Sequence, residues 1–367
     1  MKKIISVVGA RPNFMKVAPI HRAFQQYSSS VEHLIVHTGQ HYDAAMSDAF
    51  FQDLDMPQPA VFLGIGSGSH AVQTAKVMVE FEKVCEDIKP DFVIVVGDVN
   101  STVGCSLVSV KMCIPTAHVE AGLRSFDRTM PEEINRIATD SICDYWFVTE
   151  QSGLDELQKQ GAPKDKVFFV GNTMIDSLHY ALPRAKQSAF MKELGLMEKG
   201  YALITMHRPS NVDEPDQLKN LLLMLAELTD KRDIVFPVHP RTRKNISAFG
   251  LSEIIENHPR LKLIDPQGYI NFLSLMMNAD FVMTDSGGIQ EETTALGVPC
   301  LTIRTTTERP ITTTLGTNIL IQPEPNAIRQ ALSDIIHLPR KQGQIPPLWD
   351  GNTANRIAKI IVEIVGT

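Results

Sequence analysis

The chain has no paired-cysteine motif, no apolar run long enough to span a bilayer and no surplus of basic residues. Its five cysteines, Cys85, Cys105, Cys113, Cys143 and Cys300, are odd in number and never spaced Cys-x-x-Cys. They lie among apolar residues, which argues against a disulfide framework or a thiol-redox pair and reads as reduced packing residues of a cytoplasmic protein. A formal charge of -7 offers no basic field to nucleic acid or to an anionic membrane surface, so neither is an expected partner. The apolar start breaks at Gly9-Ala-Arg-Pro12 with nothing resembling a cleavage site after it, so no export signal is read. Among the eleven histidines His37 and His41 stand four apart, and Gly39 between them argues for a loop, so no metal site is expected. No Gly-x-Gly-x-x-Gly follows the first strand and no Gly-x-x-x-x-Gly-Lys-[Ser/Thr] occurs, which argues against a nicotinamide site and against a P-loop. The glycine-rich stretch 64–70 matches neither and reads as a mobile loop.

What is present is a repeated strand, loop, helix pattern. Near-continuous apolar runs at 4–8, 33–37, 92–96, 116–119, 146–149 and 166–170 alternate with amphipathic stretches, as in a parallel sheet covered on both faces. The pattern restarts at 201–206, 233–238, 261–264, 281–283 and 300–303. With 367 residues, more than one core is expected, so the reading is two doubly wound α/β domains joined by a linker near 172–184.

In such sheets ligands sit beyond the carboxyl ends of the strands, and those positions are polar throughout. The most informative is the stretch 279–299, where an apolar strand ends in Asp285-Ser-Gly-Gly288 and opens a helix closed by Gly297. Unpartnered N–H groups at a helix start, the positive end of its dipole and two bare glycines suit a phosphate. The alternative is that Asp285 and Ser286 are only a cap and a turn. Arg11 and Lys16 follow the first strand, Asp98 the 92–96 strand and Glu120 the 116–119 strand; His207 and His239 hold the matching places in the second half. Together they suggest a phosphorylated, polyhydroxyl ligand.

Taken in order, Gly9-x-Arg-Pro with Lys16, Gly97-Asp98, His118-Val-Glu-Ala-Gly-Leu-Arg124, Pro131-Glu-Glu-x-Asn-Arg136, Gly171-Asn-Thr, His207-Arg208, Asp265-Pro-Gln267, Thr284-Asp-Ser-Gly-Gly-Ile-Gln-Glu-Glu292 and Thr307-Glu-Arg-Pro310 resemble the non-hydrolysing UDP-N-acetylglucosamine 2-epimerases. The resemblance implies two Rossmann-like domains in a glycosyltransferase-B arrangement: 1–171, with the helix 353–367 returning to it, and 172–352. It also implies a homodimer that interconverts UDP-GlcNAc and UDP-ManNAc with no cofactor, by eliminating UDP to 2-acetamidoglucal and adding it back. Asp98, Glu120, Glu132 and His207 match the family's catalytic groups. Arg11 and Lys16 match its diphosphate partners, Ser286, Gly287 and Gly288 its backbone cradle, and Glu292 its ribose ligand. Gln267 and Phe272 fall about the uracil and Arg309 near the phosphates. Three carboxylates beside an anionic substrate should favour a proton on at least one of them. Arg124 and Arg136 are expected to pair with those three carboxylates, and His118 and His239 to be structural polar groups.

The chain departs from many bacterial members at His207-Arg-Pro-Ser210, in a shorter segment between Arg124 and Pro131, and at Tyr42-Asp43. Those loops hold an activating second UDP-GlcNAc in several bacterial enzymes, and the resemblance does not carry that activation over. The same departures leave room for a modified substrate such as a diacetamido uronic acid. A glycosyltransferase of the same architecture and a non-catalytic nucleotide-sugar sensor are the other readings; the carboxylate trio argues against both.

Overall fold

Apolar β-branched runs too short for helices become central strands when both faces can be covered, and here they build two all-parallel sheets. The computed structural model describes residues 1–40 and 51–366, and of residues 209 and 210 only the backbone. His41 and the Tyr42-Asp43 pair therefore lie outside the described residues. The chain divides into two compact units, unit 1 comprising Met1–Ala181 with Pro347–Thr367, and unit 2 comprising Leu182–Pro346.

Unit 1 holds strands β1 (Lys2–Val8), β2 (Val31–His37), β3 (Val61–Phe62), β4 (Phe92–Val96), β5 (Thr116–Val119), β6 (Tyr145–Val148) and β7 (Val167–Phe169), in the order β3-β2-β1-β4-β5-β6-β7. Every residue of β4 is buried. Val93 and Val95 pack with Val77 and Phe81 of the His70–Ile88 helix in the core on one face of the sheet. Unit 2 repeats the plan with β8 (Tyr201–Thr205), β9 (Asp233–Pro237), β10 (Leu261–Ile264), β11 (Phe281–Thr284), β12 (Cys300–Ile303) and β13 (Asn318–Ile321), ordered β10-β9-β8-β11-β12-β13. Ile204, Phe236, Phe281 and Met283 form its core with Leu221 and Leu225 of the Pro215–Leu228 helix. In both sheets the order reverses beside the first strand, which opens a crevice at the carboxyl ends where ligands bind. The sequence pattern missed β3 and β13, both edge strands, whose one-sided burial leaves a weak apolar signature.

The division between the units falls inside the stretch 172–184 expected as a linker, most of which is helical, Thr173–Gln187. Ile175, Leu178, Ala181 and Ala185 recur at helical spacing and are fully buried. The Thr353–Val365 helix belongs to unit 1 and packs on the Arg11–Phe24 helix. Its first free N–H groups, those of Thr353 and Ala354, donate to the Asp176 carboxylate at 3.1 and 2.6 Å. Among the described residues no helix is long and apolar enough to cross a membrane. All five cysteines are free. Four are buried, and burial pushes the Cys85 thiol up to about 12 and that of Cys300 to about 11, as inert packing residues require. Cys113 departs from that expectation: it is exposed, in a turn with φ of 60°.

Candidate active site

In unit 1 the strand ends are tied to one another before any functional group is placed. Asn13, in the first turn of the Arg11–Phe24 helix, accepts from the N–H groups of Gly9 and Ala10, each at 3.0 Å. Its amide donates to the Val96 carbonyl at 3.1 Å, so the ends of β1 and β4 are fastened together. One turn along the same helix face, Lys16 reaches the Glu120 carboxylate at 2.5 Å, and both side chains are only 5% exposed. Gly97 makes room for that contact. Its φ is 69°, and a Cβ there would lie 2.9 Å from the Lys16 ammonium.

Glu120 itself sits at φ 75°, a conformation that costs a side-chain-bearing residue about 1–3 kcal/mol and persists only where the surroundings over-determine it. They do so here. The N–H groups of Glu120 and Ala121 both donate to the Phe147 carbonyl, at 3.0 and 3.1 Å. Gly122, at φ 81°, is pressed against the Gln151–Lys159 helix so closely that a Cβ would stand 2.3 Å from the Gly153 carbonyl oxygen.

Asp98 follows at the end of β4, half-buried, with Arg136 at 3.1 Å and its backbone carbonyl held by Asn135 at 2.9 Å. Asp98 and Glu132 both line a cavity of about 190 Å³, together with Gln40, His70, Asn100 and Asn135. Glu133, next to Glu132 in the Pro131–Ile142 helix, points the other way. It is buried, pairs with Arg136, and accepts from the Ser125 and Phe126 N–H groups at 2.9 and 3.0 Å. Burial pushes its carboxyl up, but those donors more than offset this and hold it below the ordinary range.

The crowding of carboxylates expected from the sequence is thus compensated by cations: Lys16 on Glu120, Arg136 on Asp98 and Glu133. Lys16 is placed as a partner of Glu120, while Arg11 is exposed at the start of its helix. Arg124 pairs with Asp140 at 2.6 Å. The stretch 64–70 is not loose: Ile65 and Gly66 donate to the Thr38 and Gly39 carbonyls, and Ser69 caps the His70–Ile88 helix.

In unit 2 the organising residue is Asp285, at the end of β11 and fully buried. Its carboxylate accepts from the N–H groups of His207 (3.0 Å) and Arg208 (2.8 Å), from the Asn211 amide (2.9 Å) and from His207 Nδ1 (2.8 Å). Burial pushes the Asp285 carboxyl up, and these donors overcome that and hold it below its ordinary value. His207 is 57% exposed, and the buried Asp285 orients its ring through Nδ1. Sequence alone had left Asp285 as a possible cap or turn; its only signal was its place at a strand end.

Ser286 is the N-cap of the Gly287–Leu296 helix, and its side chain makes no capping bond. A Cβ on Gly287 would stand 2.6 Å from Arg309 and 2.7 Å from Glu308, so glycine is needed for those two groups to approach. Gly288 follows, half-buried. Arg309 is buried in an ion pair with Glu308 and at 2.9 Å from Glu291, while Arg304 holds the other Glu308 oxygen at 2.8 Å. Glu292 is buried and accepts from the Tyr269 hydroxyl at 2.7 Å, a partner no sequence signal announced. Gln267 and Phe272, both half-buried, flank Tyr269 beyond β10, with the Gln267 amide donating to the Asp265 carbonyl at 2.8 Å. His239 caps the Pro240–Ala248 helix, accepting from Arg241 N–H.

Comparison with known proteins gives the following. Residues 23–362 match the family model described as UDP-N-acetylglucosamine 2-epimerase. The UDP-N-acetylglucosamine 2-epimerase of Methanocaldococcus jannaschii is 40% identical over 365 residues, 98% of each chain. A crystal structure of the enzyme from that organism in complex with UDP-GlcNAc and UDP superposes with a TM-score of 0.89 at 39% identity, covering 99% of this chain and 100% of the other. The UDP-2,3-diacetamido-2,3-dideoxy-D-glucuronate 2-epimerase of Pseudomonas aeruginosa is 36% identical over 367 residues, 99% of this chain and 100% of the relative.

Proposed function

The chain belongs to the non-hydrolysing UDP-N-acetylglucosamine 2-epimerase family, and on that premise we propose how its residues interconvert UDP-GlcNAc and UDP-ManNAc. The observation that carries the reading is the pair of carboxylates, Asp98 and Glu132, on one small polar cavity, with a third, Glu120, held in a strained turn at the end of the neighbouring strand β5. Carboxylates so placed suit proton transfer to and from a carbon of a bound substrate.

The C2 hydrogen of an acetamido sugar is not adjacent to a ketone, so simple deprotonation is too slow. In the proposed route a carboxylate takes the C2 proton as the C1–O bond breaks. The C–H electron pair becomes the C1–C2 double bond of 2-acetamidoglucal, and the C1–O pair leaves with UDP. Re-addition of UDP, with a second carboxylic acid protonating the other face of C2, gives the epimer. No net oxidation occurs.

The leaving diphosphate needs charge stabilisation, for which Arg11, the Ser286-Gly287-Gly288 helix start and Arg309 are the candidates. His207, oriented by Asp285, is the group to exchange a proton with the departing phosphate. Glu292 would hold the ribose hydroxyls, with Gln267 and Phe272 at the uracil. The glycosyltransferase-B arrangement of the units belongs to the same proposal.

Proton NMR with UDP-GlcNAc in D2O tests it. UDP-ManNAc should appear with deuterium at C2 of both epimers. The Pseudomonas relative favours one second reading, a diacetamido uronate substrate, and C2 exchange on that UDP-sugar alone would select it. Exchange on neither sinks the assignment.

A homodimer is part of the proposal. Val72 and Val79 of the His70–Ile88 helix and Ile134 of the Pro131–Ile142 helix are large apolar residues exposed on unit 1, and the Asn100–Lys111 helix packs against both of those helices. Sedimentation should give a mass twice 40.8 kDa, reduced by Val79→Glu with Ile134→Glu; a wild-type monomer would refute the dimer.

A further inference from the structure

His118, in the middle of β5, is wholly buried and at first sight only fills a polar niche. Its two ring nitrogens have unusual company. Nδ1 lies 2.7 Å from Asp140 Oδ1, and Nε2 lies 2.8 Å from the Gly97 carbonyl oxygen. The carbonyl can only accept. Asp140 also accepts: its other oxygen takes the Gly122 N–H at 3.0 Å, and the Arg124 guanidinium at 2.6 Å helps hold the carboxyl below the ordinary range and so ionised on both oxygens. A neutral imidazole has one N–H and one lone pair, so it would set that lone pair against one of these two ionised or carbonyl oxygens, in direct contact in a wholly buried site.

We propose that His118 carries a proton on both ring nitrogens and, as a buried cation, is the positioning residue that holds the two turns presenting Asp98 and Glu120. One proton holds the carbonyl of Gly97, the residue before Asp98, in a turn with φ of 69°. The other reaches Asp140, which holds Gly122, two residues beyond Glu120. His118 itself stands two residues before Glu120, so one cluster grips that strained turn from both sides and joins it to the turn of Asp98.

The charges around it are consistent. Burial pushes the Asp140 carboxyl up, but His118 and Arg124 draw it down further, below the ordinary carboxylate range. Strands β4 and β6 on either side of β5 bring no charged side chain, being Phe-Val-Ile-Val-Val and Tyr-Trp-Phe-Val. The Lys16–Glu120 pair and the Asp98–Arg136–Glu133 group lie at the carboxyl ends of the strands, and Asp144 accepts from Thr116 N–H at the opposite end of β5.

The positioning role rests on the reading that Asp98 and Glu120 act at C2; the protonation does not. Neutron diffraction from deuterated crystals at neutral pD should show two deuterons on the His118 ring. One deuteron overturns the proposal. His118→Asn, too short to span both oxygens, should lower kcat about 100-fold, as expected for a small misplacement of reacting groups, with KM little changed. His118→Gln, whose amide can still reach the Gly97 carbonyl, should recover part of that loss. If His118→Asn folds, melts normally and keeps its kcat, the positioning role is wrong. Should neither variant fold, the deuteron count decides alone, since a neutral ring cannot donate to both turns. Retained C2 exchange in Glu120→Gln would instead remove the reading of the carboxylates and leave the deuteron count standing.

Discussion

Glu120→Gln is expected to lower turnover by about 10²–10⁴-fold, the range for loss of a positioned acid or base, and to abolish deuterium uptake at C2 of either epimer. The substitution keeps the size and planar end of the side chain, so the turn at φ 75° can persist. What it removes is the proton-carrying oxygen and the partner of a buried Lys16 ammonium 2.5 Å away. An unpaired buried cation is costly, so some stability is lost as well, on the order of 3–5 kcal/mol. Two measurements separate the effects: binding of UDP alone should be close to normal, and exchange per folded molecule should be absent. A Glu120→Gln enzyme that incorporates deuterium at the wild-type rate would show that Glu120 serves only to balance Lys16.

Asp285→Asn should be the other severe change, with effects on turnover and on acid stability at once. The carboxylate takes two backbone N–H groups, one amide and the His207 ring. An asparagine must turn an NH2 toward one of these donors, and it no longer favours the ring orientation set through Nδ1. In a serine-protease triad the same Asp→Asn change costs about 10⁴-fold in kcat through the wrong tautomer, and a loss of that order is the upper expectation here.

The pH dependence follows from the sign of the shift. The Asp285 carboxyl is held below its ordinary value of 3.8 in the folded chain, so its stabilisation is fully present above that value and lost as pH falls through the folded value. The variant lacks this dependence. Denaturation curves at neutral pH should therefore show wild type well above Asp285→Asn, with the gap closing below pH 3.8. A gap that stays constant into acid would mean that Asp285 acts by shape and not by charge.

Glu132 and Glu133 show where sequence reading stops. Both are first-turn acids after Pro131, and either could have been the functional one by composition. Consecutive residues point about 100° apart around a helix, so one reaches the cavity with Asp98 while the other is buried under Ser125 and Arg136. The resemblance picked Glu132; that Glu132 and not Glu133 faces the cavity is a rotation that only the docked helix defines. Lys16 illustrates the same limit. Its place after β1 suggested an anion, but which anion depended on how far Glu120 swings back across the sheet.

All the strands but β3 and β13, and their parallel sheets, were legible because unbroken β-branched runs have few ways to bury both faces. The helix start at 286–288 was legible because glycine and a small cap leave a chemical mark at a turn. The hydrogen-bonded pairs were not. His207 with Asp285, Glu292 with Tyr269, and His118 with Asp140 and Gly97 are separated by 78, 23, 22 and 21 positions. Patterning along a chain encodes which face of an element is apolar, and hence the sheets. A long-range polar pair leaves no periodic trace, because its partners are chosen by the distance and angle between elements already packed.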